Sequence, residues 1–361
     1  MNNASRNILG LFVIVFFIVL GINIQKFLDR QQQTGEYIKK GITLFENKKY
    51  KDALAAFEEA QKLKIDDPRL AWYMANIYRG SGNLDEALAY LDKYVSKRTN
   101  DPQGYYQKGI IFAASGQSPL ALKNLNKALE LGLKDFNVYN YRALVYAEKG
   151  QYDLSLADLE KFLKANPNKA EGYTTRAVLY YRMGKIDDSM ADFGAALRAD
   201  PSYWEAYFNR GGILNLLGKP QEAVGDLTKV IELSPQNLQA FLLRAEIFLA
   251  QKEYDAALKD YARLLKETPK NAGLLTKMGE IAYLNNNCQE AFNYFNQSVA
   301  ADPDFPKAYY LRSKCHYALG DLESAWQDVV KSQSLNYPAQ EDYLKALKKA
   351  KEDFSKLKEK K

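Results

Sequence analysis

A 34-residue period dominates this chain and repeats nine times over residues 34–339 without an insertion. Position 8 of every copy is glycine, alanine or serine, and position 20 is alanine or serine. Proline stands at position 32 in five consecutive copies, from Pro167 to Pro303. The pattern predicts two short helices in each copy, followed by a break. The copies are residues 34–67, 68–101, 102–135, 136–169, 170–203, 204–237, 238–271, 272–305 and 306–339.

The period predicts an all-α fold in which each helix pair stacks on the next. A single helical hairpin cannot bury both of its apolar stripes, so it must pack against its neighbours. Small residues at positions 8 and 20 allow close approach of the two helices, while position 24 supplies bulk, as at Phe57 and Leu91. Glycine at position 15 of six copies predicts the tight turn between the helices.

These residues resemble the tetratricopeptide repeat family, whose pattern places aromatic, Leu, Gly, Tyr, Ala, Phe, Ala and Pro residues within 34 positions. Residues 206–235, with the sequence AYFNRGGILNLLGKPQEAVGDLTKVIELSP, match it closely. The resemblance implies an all-α, right-handed superhelical solenoid of nine helix-turn-helix repeats. Ile65, Thr99, Leu133 and Tyr337 replace the terminal proline of copies one to three and nine, which predicts altered junctions there.

The amino-terminal region contains an uncharged apolar run, ILGLFVIVFFIVLGI, at residues 8–22. Its length approaches that of a membrane-spanning helix, so we expect a transmembrane anchor in residues 1–25 and a linker in residues 26–33. A secretory signal peptide is the alternative, although no Ala-x-Ala processing site follows. Basic residues flank the run on both sides, so the side of the membrane stays open.

The carboxy-terminal residues 340–361 place Tyr343, Leu344 and Leu347 at helical spacing among many charged residues. We expect a helix that caps the last repeat and keeps the array soluble. The alternative is a basic amphipathic arm that binds anionic lipid or a partner helix.

The charge distribution argues against nucleic-acid binding. The net charge is +6, but the two ends of the chain carry most of it and the repeats are nearly neutral. A neutral array cannot release many counterions from a phosphate backbone.

The sequence contains no catalytic constellation. His316 is the only histidine, and no phosphate-binding loop, nucleophile elbow or paired metal-ligand motif occurs. We therefore predict no catalytic, cofactor-binding or metal-binding residues and no small-molecule substrate. His316 occupies position 11, where other copies have aromatic rings, and is expected to fill buried space. Cys288 and Cys315 are expected to be small buried residues, or a disulfide in an oxidising compartment.

Arginine and aspartate occur together at positions 7 and 23 of five copies, and the other four copies have neither. This pattern predicts an ion pair that bridges the two helices of one pair, or of close neighbours. The residues at position 7 are Arg142, Arg176, Arg210, Arg244 and Arg312, and those at position 23 are Asp158, Asp192, Asp226, Asp260 and Asp328.

The resemblance also implies a binding groove, because first helices of the family line a concave surface with positions 2, 5, 9 and 12. Amphipathic rings and amides at these positions, and at the adjacent position 6, suit an extended peptide. The candidate protein-binding residues are Trp72, Tyr73, Asn76, Tyr106, Asn140, Tyr141, Tyr181, Phe208, Asn209, Asn215, Tyr283, Tyr310 and Tyr317.

The function expected from these features is a non-enzymatic, membrane-tethered scaffold that binds segments of other proteins in its groove. One alternative is a periplasmic or secreted adaptor from which the signal has been removed. A further alternative is a docking subunit of an enzyme whose catalytic residues lie on other chains. Retention of residues 1–24 in the mature protein would distinguish the membrane-tethered scaffold from the adaptor whose signal has been removed.

Overall fold

The computed structural model describes the backbone of residues 3–359 and the side chains of Phe16 and residues 18–353. Within that part of the chain there are nineteen α-helices and no strand, so the all-α prediction is confirmed. The helices belong to two compact units, Met1–Pro167 and Asn168–Lys361. The first unit contains α1 (Asn3–Glu46), α2 (Tyr50–Lys62), α3 (Pro68–Gly80), α4 (Leu84–Lys97), α5 (Pro102–Ala114), α6 (Ser118–Glu130), α7 (Asn137–Glu148) and α8 (Tyr152–Ala165). The second unit contains α9 (Ala170–Arg182), α10 (Ile186–Ala199), α11 (Trp204–Leu216), α12 (Pro220–Leu233), α13 (Leu238–Ala250), α14 (Tyr254–Glu267), α15 (Ala272–Leu284), α16 (Cys288–Ala301), α17 (Pro306–Ala318), α18 (Leu322–Ser334) and α19 (Glu341–Glu359).

Consecutive helices pack in pairs, each made of an odd-numbered first helix and the even-numbered second helix that follows it. Small residues at position 8 make this packing close. A Cβ atom added to Gly109 would lie 2.7 Å from the Leu125 side chain, and one added to Gly279 would lie 2.5 Å from the Phe295 ring. Both distances are too short for a methyl group, so the bulk at position 24 requires glycine at position 8 of these copies.

The turn inside each described pair has a left-handed residue at position 15. Glycine provides it in six copies, as the sequence predicted, and Lys48, Lys252 and Asn286 provide it in the other three with φ of 61°, 62° and 59°. The following amide closes the turn, as where Lys219 N–H donates to the Leu214 carbonyl at 2.9 Å. The turn geometry is therefore retained where the glycine is absent.

The predicted arginine–aspartate pairs are confirmed in all five copies. Each guanidinium donates two hydrogen bonds, of 2.6–2.9 Å, to the aspartate sixteen residues later. In the Arg210–Asp226 pair the aspartate side chain is 9% exposed, and its hydrogen bonds raise the pKa of Arg210 above its ordinary value. The pair thus joins the first helix to the second helix of one hairpin through a largely desolvated bidentate contact.

Three of these arginines also reach the preceding helix pair. Arg142 donates to Asn126 Oδ1 at 2.7 Å, and Arg244 donates to Thr228 Oγ1 at 2.8 Å. Arg312 donates to Asn296 Oδ1 at 2.8 Å. Each acceptor lies on the second helix of the preceding pair, so these arginines link neighbouring pairs as well as the two helices of their own.

Helix α1 runs without interruption from Asn3 into the first helix pair, and the residues expected to be a linker, 26–33, are helical. Most of the expected anchor lies outside the residues whose side chains are described. The described apolar side chains of the run are 42–63% exposed, and they are Phe16, Ile18, Val19, Leu20 and Ile22. No helix within the described residues has the length and apolar character required to span a membrane.

Helix α19 packs against α18 at the other end of the chain. Leu347 is fully buried, and the Tyr343 hydroxyl donates to Ser313 Oγ at 3.1 Å. Lys351 forms an ion pair with Glu323 at 2.8 Å and lies 5.3 Å from the centre of the Trp326 ring. These contacts cover apolar surface of the last helix pair, as a capping helix would. The side chains of Phe354 and Leu357 lie outside the described residues.

Candidate protein-binding faces

The candidate binding residues lie on the first helices of the pairs. In the first unit α1 contacts α3, and α5 contacts α7. In the second unit α9 contacts α11, α11 contacts α13, and α15 contacts α17. Where two first helices contact each other, their outward residues can form a shared surface. We call the outward residues at positions 2, 5, 6, 9, 12 and 13 of the first helices the first-helix faces.

On α3 the candidate residues are held by local contacts. The Trp72 ring lies 5.1 Å from the Tyr94 ring, and the Tyr73 ring stacks on Phe57 at 5.7 Å. The Asn76 amide nitrogen donates to the Trp72 carbonyl at 2.8 Å. All three side chains are partly exposed and therefore accessible to a partner.

On α5 and α7, two of the three candidates are too deeply buried to contact a ligand. Tyr106 is only 5% exposed and Asn140 only 1%, while Tyr141 is partly exposed. The Tyr106 and Tyr141 rings meet edge to face, with centres 6.0 Å apart. Tyr106 and Asn140 hence pack between helices and offer little surface to a ligand, whereas Leu144 on α7 is 42% exposed.

On α9 and α11 the candidates Tyr181, Phe208, Asn209 and Asn215 are all partly exposed. The Phe208 ring meets Trp204 edge to face at 6.5 Å, which fixes its orientation on α11. The Asn209 amide nitrogen donates to the Glu205 carbonyl at 2.8 Å, as Asn76 does to Trp72. This repeated bond orients the asparagine side chains along their own helices.

On α15 and α17 the candidates belong to an aromatic cluster closed by α19. The Tyr310 ring lies 6.0 Å from the Tyr343 ring, and Tyr317 lies 5.8 Å from the same ring. Tyr283 packs against this cluster. Burial raises the pKa of Tyr343 to about 12, and Tyr310 is only 5% exposed. Tyr310 therefore packs beneath α19, while Tyr283 and Tyr317 retain partial exposure.

Neither the histidine nor the cysteines form a recognisable reactive site. His316 meets the Phe292 ring edge to face at 4.8 Å, and its Nδ1 lies 3.2 Å from Asp321 Oδ2. Cys288 and Cys315 are both free thiols, and burial raises the pKa of Cys315 to about 12, which disfavours its thiolate. Within the described residues no group of histidine, cysteine and acidic side chains could hold a metal ion.

Exposed leucines on the first helices were not identified from the sequence. Leu144, Leu216, Leu242 and Leu284 are 42%, 71%, 41% and 49% exposed. They occupy positions 5, 9 and 13 of their copies, so the repeat phase could have located them. Isolated leucines carry no chemical signature, and their exposure depends on the size of neighbouring side chains.

Comparisons with known proteins identify repeats along most of the chain. The tetratricopeptide repeat family matches residues 44–107, 106–170, 174–237, 217–272 and 276–331. A solved tetratricopeptide repeat protein from Parabacteroides merdae ATCC 43184 is 20% identical, with a TM-score of 0.41, over 69% of this chain and 98% of that chain. YrrB, described as a TPR protein with an unusual peptide-binding site, is 23% identical, with a TM-score of 0.38, over 52% of this chain and 97% of that chain. The pilF protein of Pseudomonas aeruginosa is 18% identical, with a TM-score of 0.43, over 59% of this chain and 97% of that chain. The comparison with curated proteins gives no match.

Proposed function

Because the chain belongs to the tetratricopeptide repeat family, whose members bind other proteins or peptides, we propose that it is a non-enzymatic, membrane-tethered scaffold. The first-helix faces bind segments of other polypeptides. The observation that carries this proposal is the exposure of leucines on these faces, represented by Leu144 and Leu242. Exposed apolar side chains beside partly exposed rings and amides are suited to an extended peptide, because rings bury side chains and amides bind backbone groups.

The membrane tether is supported by the apolar run at residues 8–22 and by the exposure of its described side chains. Exposed apolar surface is unfavourable in water by about 25 cal/mol per Å². Insertion into a bilayer would remove this surface from water. A tether would also raise the effective concentration of the faces near other membrane proteins, so that individually weak contacts suffice.

Copurification from membranes tests the binding role. The full chain with Leu144→Asp and Leu242→Asp should lose its copurifying polypeptides, because a charge replaces apolar contact surface on the first helices. Leu120→Asp and Leu154→Asp provide a matched control, since these leucines are 41% and 49% exposed on second helices. Retention of the same polypeptides by both double variants would contradict binding through the first-helix faces.

A further inference from the structure

We infer that the first-helix face formed by α11 and α13 binds a polypeptide segment in which apolar side chains lie beside lysine or arginine. The inference rests on the proposed function and specifies the chemistry of one partner. We call this surface the α11–α13 face, and its residues are Glu205, Phe208, Gly212, Leu216, Leu242 and Glu246.

The α11–α13 face has three apolar side chains that are exposed or partly exposed. Leu216 is 71% exposed and Leu242 is 41% exposed, while Phe208 is partly exposed and is held against Trp204. Because α11 and α13 contact each other, these side chains belong to one surface. Apolar side chains of a partner would remove them from water.

Gly212 leaves room for the partner in the middle of this face. It lies one helical turn after Phe208 and one turn before Leu216, so the three residues share one side of α11. A Cβ atom added to Gly212 would meet no other atom within 4 Å. A partner side chain can therefore approach the α11 backbone between Phe208 and Leu216.

The charge of the face determines the class of partner. Glu205 and Glu246 form no ion pair with any residue that the structure describes. Glu246 is exposed and Glu205 is partly exposed, so each carboxylate can accept a hydrogen bond from a partner's cation. Complementary charge favours a basic segment and disfavours an acidic one.

Acidic residues at positions 2 and 9 also occur on two other first helices of the second unit, as Glu171 on α9 and Glu280 on α15, and the Glu280 carboxylate is already paired with Lys307 at 3.1 Å. At the corresponding positions in the first unit, α3 has Arg69 and Asn76, and α5 has Gln103 and Ile110. Those faces of the first unit have no acidic residue at these positions. A basic apolar segment is therefore matched by the α11–α13 face and not by the faces of α3 and α5.

Three short synthetic peptides and the purified full chain test this inference by fluorescence anisotropy. The first peptide is a short extended segment in which leucines lie beside lysines, the second has glutamates in place of the lysines, and the third has serines in place of the leucines. We expect the first peptide to bind at least about tenfold more tightly than the other two, and to weaken as salt is added.

Charge reversal locates the site. Glu205→Lys with Glu246→Lys should weaken binding of the lysine peptide about tenfold and improve binding of the glutamate peptide. Asp187→Lys with Asp188→Lys gives the same change in net charge on exposed residues of second helix α10 and should leave both affinities unchanged. The same result with both double variants would show a response to net charge alone and would overturn the inference.

Two other results would also overturn it. Equal affinity for the lysine and glutamate peptides would remove the role of the two carboxylates. Self-association of the full chain that is lost in the Glu205→Lys/Glu246→Lys variant would show that a second copy occupies the face. If partners still copurify in a manner dependent on Leu144 and Leu242, the proposed function stands while this inference fails.

Discussion

At the scale of single residues, the bidentate arginine–aspartate pairs are the most distinctive contacts of the repeats. The Asp226 carboxylate is almost completely buried and accepts two hydrogen bonds from Arg210 at 2.7 Å. A partly buried guanidinium such as that of Arg210, which is 27% exposed, keeps part of its desolvation penalty when its carboxylate is removed and loses the compensating contact. The pairs therefore affect the stability of the folded chain most strongly when one partner is removed.

We predict that Asp226→Asn destabilises the full chain by about 1–3 kcal/mol, since the neutral amide cannot accept both bonds from Arg210. Glu160→Gln, on the exposed surface of α8 and outside its first turn, should change stability by no more than about 0.5 kcal/mol. Urea unfolding monitored by circular dichroism measures both, and hydrogen exchange of α11 and α12 localises the effect. An unchanged midpoint for Asp226→Asn would show that the pair contributes nothing to stability.

The arginine–aspartate pairs were predictable from the sequence, whereas the burial of candidate ligand residues was not. Co-occurrence at positions 7 and 23 identified both partners of each pair, because a shared period places them at a constant separation. Tyr106 and Tyr310 occupy face positions by phase, yet both are 5% exposed because rings from neighbouring helices cover them. That coverage depends on contacts such as Tyr310 with Tyr343 of α19, which the period does not encode.

At the scale of helices, a further hydrogen bond from the arginine links one helix pair to the next at three junctions, where the preceding second helix supplies an oxygen. Asn126, Thr228 and Asn296 supply it at position 25 of their copies. At the same position before Arg210 the chain has Gly194 on α10, which has no side chain to accept a bond. The junction between α10 and α11 therefore lacks a contact that three other junctions have.

Replacing Gly194 with asparagine should supply this contact. A Cβ atom at this position would meet only the flexible end of Arg198, at 3.3 Å, so the side chain can be accommodated. We expect Gly194→Asn to stabilise the chain by about 1–2 kcal/mol through the new bond to Arg210 and the lower flexibility of the unfolded chain. Gly225→Asn, in open space on α12, should gain only about 0.5 kcal/mol. Equal urea midpoints for the two variants would show that no bond to Arg210 forms.

The 34-residue period predicts the turns between helices but not the helical state of residues 26–33. Glycine at position 15 correctly indicated the turns, and the repeat phase extends the same left-handed conformation to Lys48, Lys252 and Asn286. Residues 26–33 precede the period and have no strong apolar pattern, so their helical state could not be inferred from it. That segment is part of α1, which continues directly from the apolar run into the first helix pair.

At the scale of the whole molecule, the proposal combines two properties, retention at a membrane and binding through first helices. Retention is testable by alkaline carbonate extraction of the full chain. We predict that the wild-type chain stays in the membrane pellet and that Ile18→Lys with Ile22→Lys releases it, because each charge within an apolar span costs about 2.5–3.5 kcal/mol. Gln31→Lys with Gln33→Lys, outside the run, should leave the chain in the pellet. A mature protein that lacks residues 1–24 would instead indicate a removed signal.

Site-specific photocrosslinking in membranes can show whether partners bind through the first helices or through the second helices. Photoreactive residues would replace Leu144, Phe208 and Leu242 on first helices and, in separate chains, Leu120, Leu154 and Val330 on second helices. All but Phe208 are between 41% and 49% exposed, so access of the probe is matched. We predict that defined polypeptides are captured from the first-helix positions and not from the second-helix positions. Capture of the same polypeptides from second-helix positions alone would contradict this prediction.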